Sequence, residues 1–228
     1  GNTAMKFGAY AQYLVLDQNY PIVSIPENLS FEEAAAIPNG ALTSLPFLKI
    51  KGKIKAGMKL LVNGASGAVG VSAIQLGNIF EAEVTGVCSG RNVELVKSLG
   101  ADDVIDYTET DFTHSEPQYD IIYDAVGKSS FSKCKPVLKP GGIYLTTIPS
   151  LSMISLPYLN QGKRIGFMAT GLRKPDKKNE TLREINDLIK NKGYRAVIDR
   201  TYPLEEIVEA HRYVETGRKR GDVVIQIS

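Results

Sequence analysis

Between residues 60 and 70 the chain reads Leu-Leu-Val-Asn-Gly-Ala-Ser-Gly-Ala-Val-Gly. A short apolar run ends in Gly64, Gly67 and Gly70 and opens directly into a helix-periodic stretch over 69–80. In that order of strand, turn and helix, backbone amides and a helix N-terminus can hold a diphosphate. The amides just after Val62 are expected to form the cradle. Gly64 suits the tight turn, Gly67 close approach of backbone to phosphate, and Gly70 close packing of helix on strand. Ala65, Ser66, Ala68 and Val69 complete the loop and join the candidate cofactor contacts. A bare glycine triplet is weak evidence. Set between a strand and a helix, with more strands following, it is strong.

Those strands do follow. Strand-like runs cover 59–63, 83–88, 103–106, 120–124, 143–147 and 164–169, with helical patterns at 69–80, 93–99 and 130–137 between them. Such alternation predicts an α/β fold: a doubly wound, Rossmann-type parallel sheet with helices on both faces and the ligand at the switch point. A charged stretch then leads to a helix at 181–192, a strand at 197–202, a helix at 204–216 and a strand at 222–227. Upstream, residues 9–16 alternate like a strand until Asn19-Tyr20-Pro21 breaks the pattern. Ser30 and Glu33 have capping-box spacing and start a short helix that Pro38 ends. A second helix is expected over 42–50, with Pro46 in its first turn, and residues 51–57 read as a solvated basic turn.

With 228 residues, 43% of them hydrophobic, the chain can bury a substantial core. A net charge of +2 argues against a dedicated nucleic-acid or membrane-surface protein. No apolar run approaches the ~18 residues of a membrane helix. Two cysteines, Cys88 and Cys134, and two histidines, His114 and His211, are too few and scattered for a zinc knuckle or disulfide framework. A cytoplasmic enzyme is the expectation. Gly1-Asn2-Thr3-Ala4-Met5 does not look like a natural start.

Further segments carry a family resemblance: Gly8-Ala9-Tyr10-Ala11, Ala34-Ala35-Ala36-Ile37-Pro38, Ser98-Leu99-Gly100-Ala101-Asp102, Val104-Ile105-Asp106-Tyr107, Tyr123-Asp124-Ala125-Val126-Gly127 and Leu138-Lys139-Pro140-Gly141-Gly142. With the glycine-rich turn, and in this order, they resemble the medium-chain dehydrogenase/reductase superfamily. The best likeness is to its zinc-free, zeta-crystallin-like quinone oxidoreductase branch. That resemblance implies hydride transfer from NADPH to a small-molecule quinone or activated enone, and a homodimer. It also implies that an N-terminal barrel-like part of a GroES-like catalytic domain is missing. Residues 1–42 and 194–228 would then be remnants of the catalytic domain, with the dinucleotide-binding domain at 43–193.

The choice between NAD and NADP turns on the second strand. NAD sites usually end that strand in an Asp or Glu for the ribose hydroxyls. Here it ends Val87-Cys88-Ser89-Gly90-Arg91-Asn92. Ser89 offers a hydrogen bond and Arg91 a charge-assisted one to a 2′-phosphate, so NADP(H) is expected. The resemblance adds Tyr107 beside the adenosine phosphate and Thr43 near the nicotinamide. Ala125 and Val126, after the fourth strand, are expected to pack against the cofactor. Residues 147–149 and 169–171 offer backbone groups for the nicotinamide amide.

No Ser/His/Asp or paired-carboxylate constellation can be placed from spacing, so no catalytic residue is assigned. His114 reads as solvated, His211 as structural, and the cysteines as small apolar residues. Zinc-dependent relatives place a Cys or Asp ligand near residues 34–40. This chain has Ile37-Pro38-Asn39-Gly40 there, and no metal is expected. Two alternatives stay open: a zinc-type alcohol dehydrogenase fragment, and a non-catalytic NADPH-binding module. In the second, Arg218-Lys219-Arg220, otherwise a solvated turn, would meet an acidic partner or RNA.

Overall fold

The computed structural model describes residues 9–114, 118–148 and 162–227. The Gly1–Met5 start, Gly8 and Pro149 lie outside the described residues. Six strands form one parallel sheet: β1 (Lys59–Asn63), β2 (Glu83–Cys88), β3 (Asp103–Asp106), β4 (Tyr119–Asp124), β5 (Leu138–Thr146) and β6 (Arg164–Gly166). Their order is β3-β2-β1-β4-β5-β6, so the chain reverses direction across the sheet between β1 and β4. A separate parallel ribbon pairs β7 (Ile198–Pro203) with β8 (Asp222–Gln226).

Strand periodicity sorts the core into two layers. Leu60, Val62, Ile121, Tyr123, Ile143 and Leu145 face one way, and Leu61, Ile122, Leu138 and Tyr144 the other. The first layer is covered by α1 (Phe31–Pro46), α2 (Ala68–Ile79), α3 (Val93–Ser98) and α5 (Pro175–Lys192). Phe131 and Cys134 of α4 (Phe131–Cys134), with Phe112, cover the second. Burial on both faces is why these strands read as nearly continuous apolar runs. Each large apolar side chain so buried contributes about 1.5–3 kcal/mol.

Three sequence expectations change. Residues 9–16 form no strand, and Tyr13 and Val15 stand 89% and 91% exposed. Alternation supplies a strand's faces, but a strand also needs a neighbour for its backbone groups. Pro38 does not end α1, which begins at the Ser30–Glu33 capping box and continues to Pro46. An internal proline costs about 3 kcal/mol. Burial of Ile37, Ala41 and Leu45 offsets that cost. The second helix is not separate: α1 runs into a π-helical turn at Phe47–Gly52, closed by Lys53 in the left-handed region at φ 52°. Shorter differences also occur: β5 starts earlier than expected, β6 is shorter, and α6 spans Ile207–Glu215 after a 3-10 turn.

Tyr194 ties the last third of the chain to α2. Its ring is buried and its hydroxyl donates to Ser72 Oγ at 2.8 Å. Burial, the largest cause, raises this phenol well above its ordinary range. Because the folded state favours the protonated ring, this contribution is complete below about pH 10 and is lost as the pH rises further. Unfolding free energy should therefore fall steeply above about pH 10, and less steeply in Tyr194→Phe. Urea titrations on either side of that pH check this; identical slopes for the two proteins would contradict it.

Candidate functional site

The three glycines serve different ends. Gly64 turns the chain at φ 81°, and a Cβ there would lie 2.4 Å from Val126 Cγ1. A Cβ on Gly70 would lie 2.0 Å from the Gly64 carbonyl oxygen. Both positions thus require glycine for the protein's own packing. Gly67 does not: it has φ −81° and ψ 169°, ordinary extended backbone, and the nearest atom to a Cβ would be 3.7 Å away. Gly67 N-caps α2 with Gly221 paired alongside.

The amides are also distributed differently from expectation. Those of Gly64 and Ala65 donate to the Val87 carbonyl at 3.1 and 3.0 Å, and that of Gly67 to Gly64 at 3.2 Å. They are occupied in stitching the turn to β2. Helical bonding begins with Val71 to Gly67 at 2.8 Å. The amides of Val69 and Gly70 consequently have no carbonyl within the helix and mark its positive end, while that of Ala68 faces the Gly221 carbonyl through the Gly67–Gly221 bridge. An anion over Gly67 would meet these groups, one turn later than the sequence suggested.

Buried Asn92 joins this turn to the one after β2. Its Nδ2 donates to Ser66 Oγ at 3.0 Å and Ser89 Oγ at 3.2 Å. Arg91 stands exposed between them, its Nη2 donating to the Arg218 carbonyl at 3.3 Å. Tyr107 is 60% exposed at the end of β3. Sequence reasoning missed Asp106, because it sought a carboxylate only on β2. Register places Asp106 opposite Cys88, so the carboxylate arrives from the next strand. Hydrogen bonds from the Thr108 amide and hydroxyl, with a weaker one from the Gly90 amide, lower its pKa. Its oxygens brace the turn that carries Ser89 and Arg91.

A second missed carboxylate, Asp124, is fully buried at the end of β4. Its Oδ1 accepts from Asn63 Nδ2 at 3.0 Å and the Gly127 amide at 2.9 Å. Its Oδ2 accepts from the Ser129 amide at 2.9 Å and Tyr144 Oη at 2.8 Å. Asp124 thereby shapes the loop bearing Ala125 and Val126, and Val126 lies against Gly64. Asn63 is more than a turn former, since it links β1 to that carboxylate. A buried acid directly after an apolar strand was the available signal.

Thr43 lies within α1, where its hydroxyl donates to the Asn39 carbonyl at 2.9 Å; it does not cap the helix. Its neighbour Ser44 donates to the Val69 carbonyl at 2.9 Å, which brings this part of α1 to the start of α2. Cys88 and Cys134 are both pushed up to about 11, chiefly by burial, so their thiols stay protonated at neutral pH. His114 is exposed beside Asp111, and His211 is exposed with its ring near Tyr10. The basic triplet is the solvent-facing turn expected, with Arg218 and Arg220 exposed, and it lies beside the glycine-rich turn. Gly221, which follows it, donates its amide to Ser66 at 2.8 Å and bridges Gly67.

Residues 99–225 match the family model described as zinc-binding dehydrogenase. The chain is 34% identical over 224 residues to the 2-methylene-furan-3-one reductase of Solanum lycopersicum, covering 96% of this chain and 53% of that protein. It is 29% identical, with the same coverage, to the chloroplastic NADPH-dependent alkenal/one oxidoreductase of Arabidopsis thaliana. The solved quinone oxidoreductase of Coxiella burnetii superposes with a TM-score of 0.79 at 29% identity, covering 90% of this chain and 64% of that one. The chain thus spans about half the length of these two curated relatives.

Zinc in the family description can be tested against the residues present. Among the described residues no three His, Cys, Asp or Glu side chains come together. Asn39 stands in the segment where a Cys or Asp ligand was sought, and its side chain is engaged by Asp222. The described residues do not fit a zinc centre.

Proposed function

Because the chain belongs to the medium-chain dehydrogenase/reductase superfamily, in its quinone oxidoreductase-like branch, we propose that it is the nucleotide-binding part of an NADPH-dependent reductase of enones or quinones. One observation carries the reading: at the amino end of α2, at the switch point of the sheet, a Cβ on Gly67 would make no contact closer than 3.7 Å, with Gly221 paired alongside. The donor set there is neutral backbone with Ser66 and Ser89, and the cation Arg91 stands one strand over. That suits a diphosphate followed by a 2′-phosphate. The names of the tomato and Arabidopsis relatives point to activated alkenes as the acceptor class.

In this reading the amides of Val69 and Gly70 bind the diphosphate beside Ala68, and Ser89, Arg91 and Tyr107 surround the adenosine phosphate. Thr43, Ala125 and Val126 border the nicotinamide half, with Asp124 fixing the loop beneath them. A reduced nicotinamide supplies a hydride to the electron-poor double bond of the acceptor. The chain's own contribution is orientation and exclusion of water. The dinucleotide domain is assigned to residues 43–193 and a catalytic domain to 1–42 with 194–228, a boundary that α1 crosses as it packs on the sheet. A cytoplasmic location and a homodimer belong to the same proposal. Among the described residues no helix is long and apolar enough to cross a membrane.

Arg91→Ala should weaken NADPH by about tenfold to a hundredfold, the worth of one charge-assisted hydrogen bond, and leave NADH within about twofold. Fluorescence titration of both nucleotides checks this; equal losses would remove Arg91 from the site. Activity is tested by nicotinamide absorbance with a series of enones and quinones and the full-length protein. Failure to oxidise NADPH with any of them would overturn the proposed reaction.

A further inference from the structure

The loop at 217–221 is held from three sides. Asp199 on β7, its side chain only 7% exposed, accepts from the Arg220 amide at 3.0 Å and from Tyr213 Oη at 2.5 Å. The Arg220 guanidinium adds an ion pair, with Nε 3.7 Å from the same carboxylate. At its far end the loop is fixed by the Gly221 amide on Ser66. Gly221 itself has φ 70°, and a Cβ there would lie 2.1 Å from the Val197 carbonyl oxygen, so the backbone path has little freedom. Between these anchors the Arg218 carbonyl accepts from Arg91 Nη2.

We propose that Asp199 is a positioning residue for nucleotide selectivity: by fixing the 217–221 loop it places the Arg218 carbonyl that holds the Arg91 guanidinium in place. The inference rests on the reading of Arg91 as the 2′-phosphate ligand. A free surface arginine samples many rotamers, and ordering it on binding opposes affinity. An arginine already held by a carbonyl loses less freedom when a phosphate arrives. The selectivity device is therefore shared between the sheet and the β7–β8 ribbon. Electrostatics alone predicts the opposite sign, because removing a carboxylate near the site should strengthen binding of the more anionic NADPH.

The test is titration of NADPH and NADH into the whole chain and its variants. Asp199→Ala should weaken NADPH about fivefold and leave NADH within about twofold, while Asp199→Asn, which keeps an acceptor for the Arg220 amide, should stay near wild type. The double variant Arg91→Ala/Asp199→Ala should bind NADPH no more weakly than Arg91→Ala alone. If Asp199→Ala does not fold, inserting two glycines after Arg218 releases the same carbonyl and should give the same selective loss. Unchanged or tighter NADPH binding, or equal loss of both nucleotides, in Asp199→Ala or, where that does not fold, in the glycine insertion would overturn the inference. Should Arg91→Ala itself prove unselective, the cofactor reading fails and this inference falls with it. Should only Arg91→Ala be selective, the inference fails alone.

Discussion

Gly67→Val should leave the fold standing and remove nucleotide binding. The backbone at Gly67 is extended and a Cβ would make only an ordinary 3.7 Å contact, so a side chain there is expected to be tolerated in the unliganded protein. The stability loss should not exceed about 1 kcal/mol, the difference between a better and a poorer N-cap. Two added methyl groups would occupy the volume through which a diphosphate reaches the helix amides. NADPH affinity should then fall by more than about a hundredfold. Gly70→Ala is the informative contrast. Its Cβ would be driven to within 2.0 Å of the Gly64 carbonyl oxygen. Such overpacking should cost about 3 kcal/mol and disturb the turn itself. Thermal unfolding and nucleotide titration of the two variants separate packing from binding. Unimpaired NADPH binding by Gly67→Val would mean that the turn is not the site.

Asp124→Ala should produce the largest loss of stability, about 3–5 kcal/mol. Asn63, Tyr144 and the amides of Gly127 and Ser129 would all lose their acceptor inside the protein. Asp124→Asn should fall between, since one oxygen remains while an NH2 faces groups that donate. Urea denaturation measures both. A loss below about 1 kcal/mol for the alanine variant would show that water satisfies these groups. The same substitution should weaken nucleotide binding by freeing the loop that carries Ala125 and Val126.

Local pattern carried the sheet. Leu60, Leu61 and Val62 are apolar because both faces of β1 are buried, and Gly70 is demanded by the Gly64 and Ala65 backbone a few residues away, whereas the clash at Gly64 comes from distant Val126. What escaped the sequence depends on distant partners. Asp106 reaches the turn after β2 only through the pairing of β2 with β3. Gly221 meets Ser66 across 155 positions, so the sequence could not show that the exposed basic triplet lies beside the glycine-rich turn. Pro38 misled for a related reason. Its local penalty is real, but tertiary burial of α1 outweighs it. The apolar alternation at 9–16 shows the converse, a local signal that no described neighbour completes. Gly67 is the most telling position. No contact of a Cβ demands glycine there, and the proposed approach of a diphosphate would account for it.

A crystal structure of the chain saturated with NADPH tests this most directly. Diphosphate oxygens should lie within hydrogen-bonding distance of the Val69 and Gly70 amides, with the 2′-phosphate against Arg91. A nucleotide bound elsewhere on the chain, or a vacant crevice above Gly67 at saturating NADPH, would contradict the account.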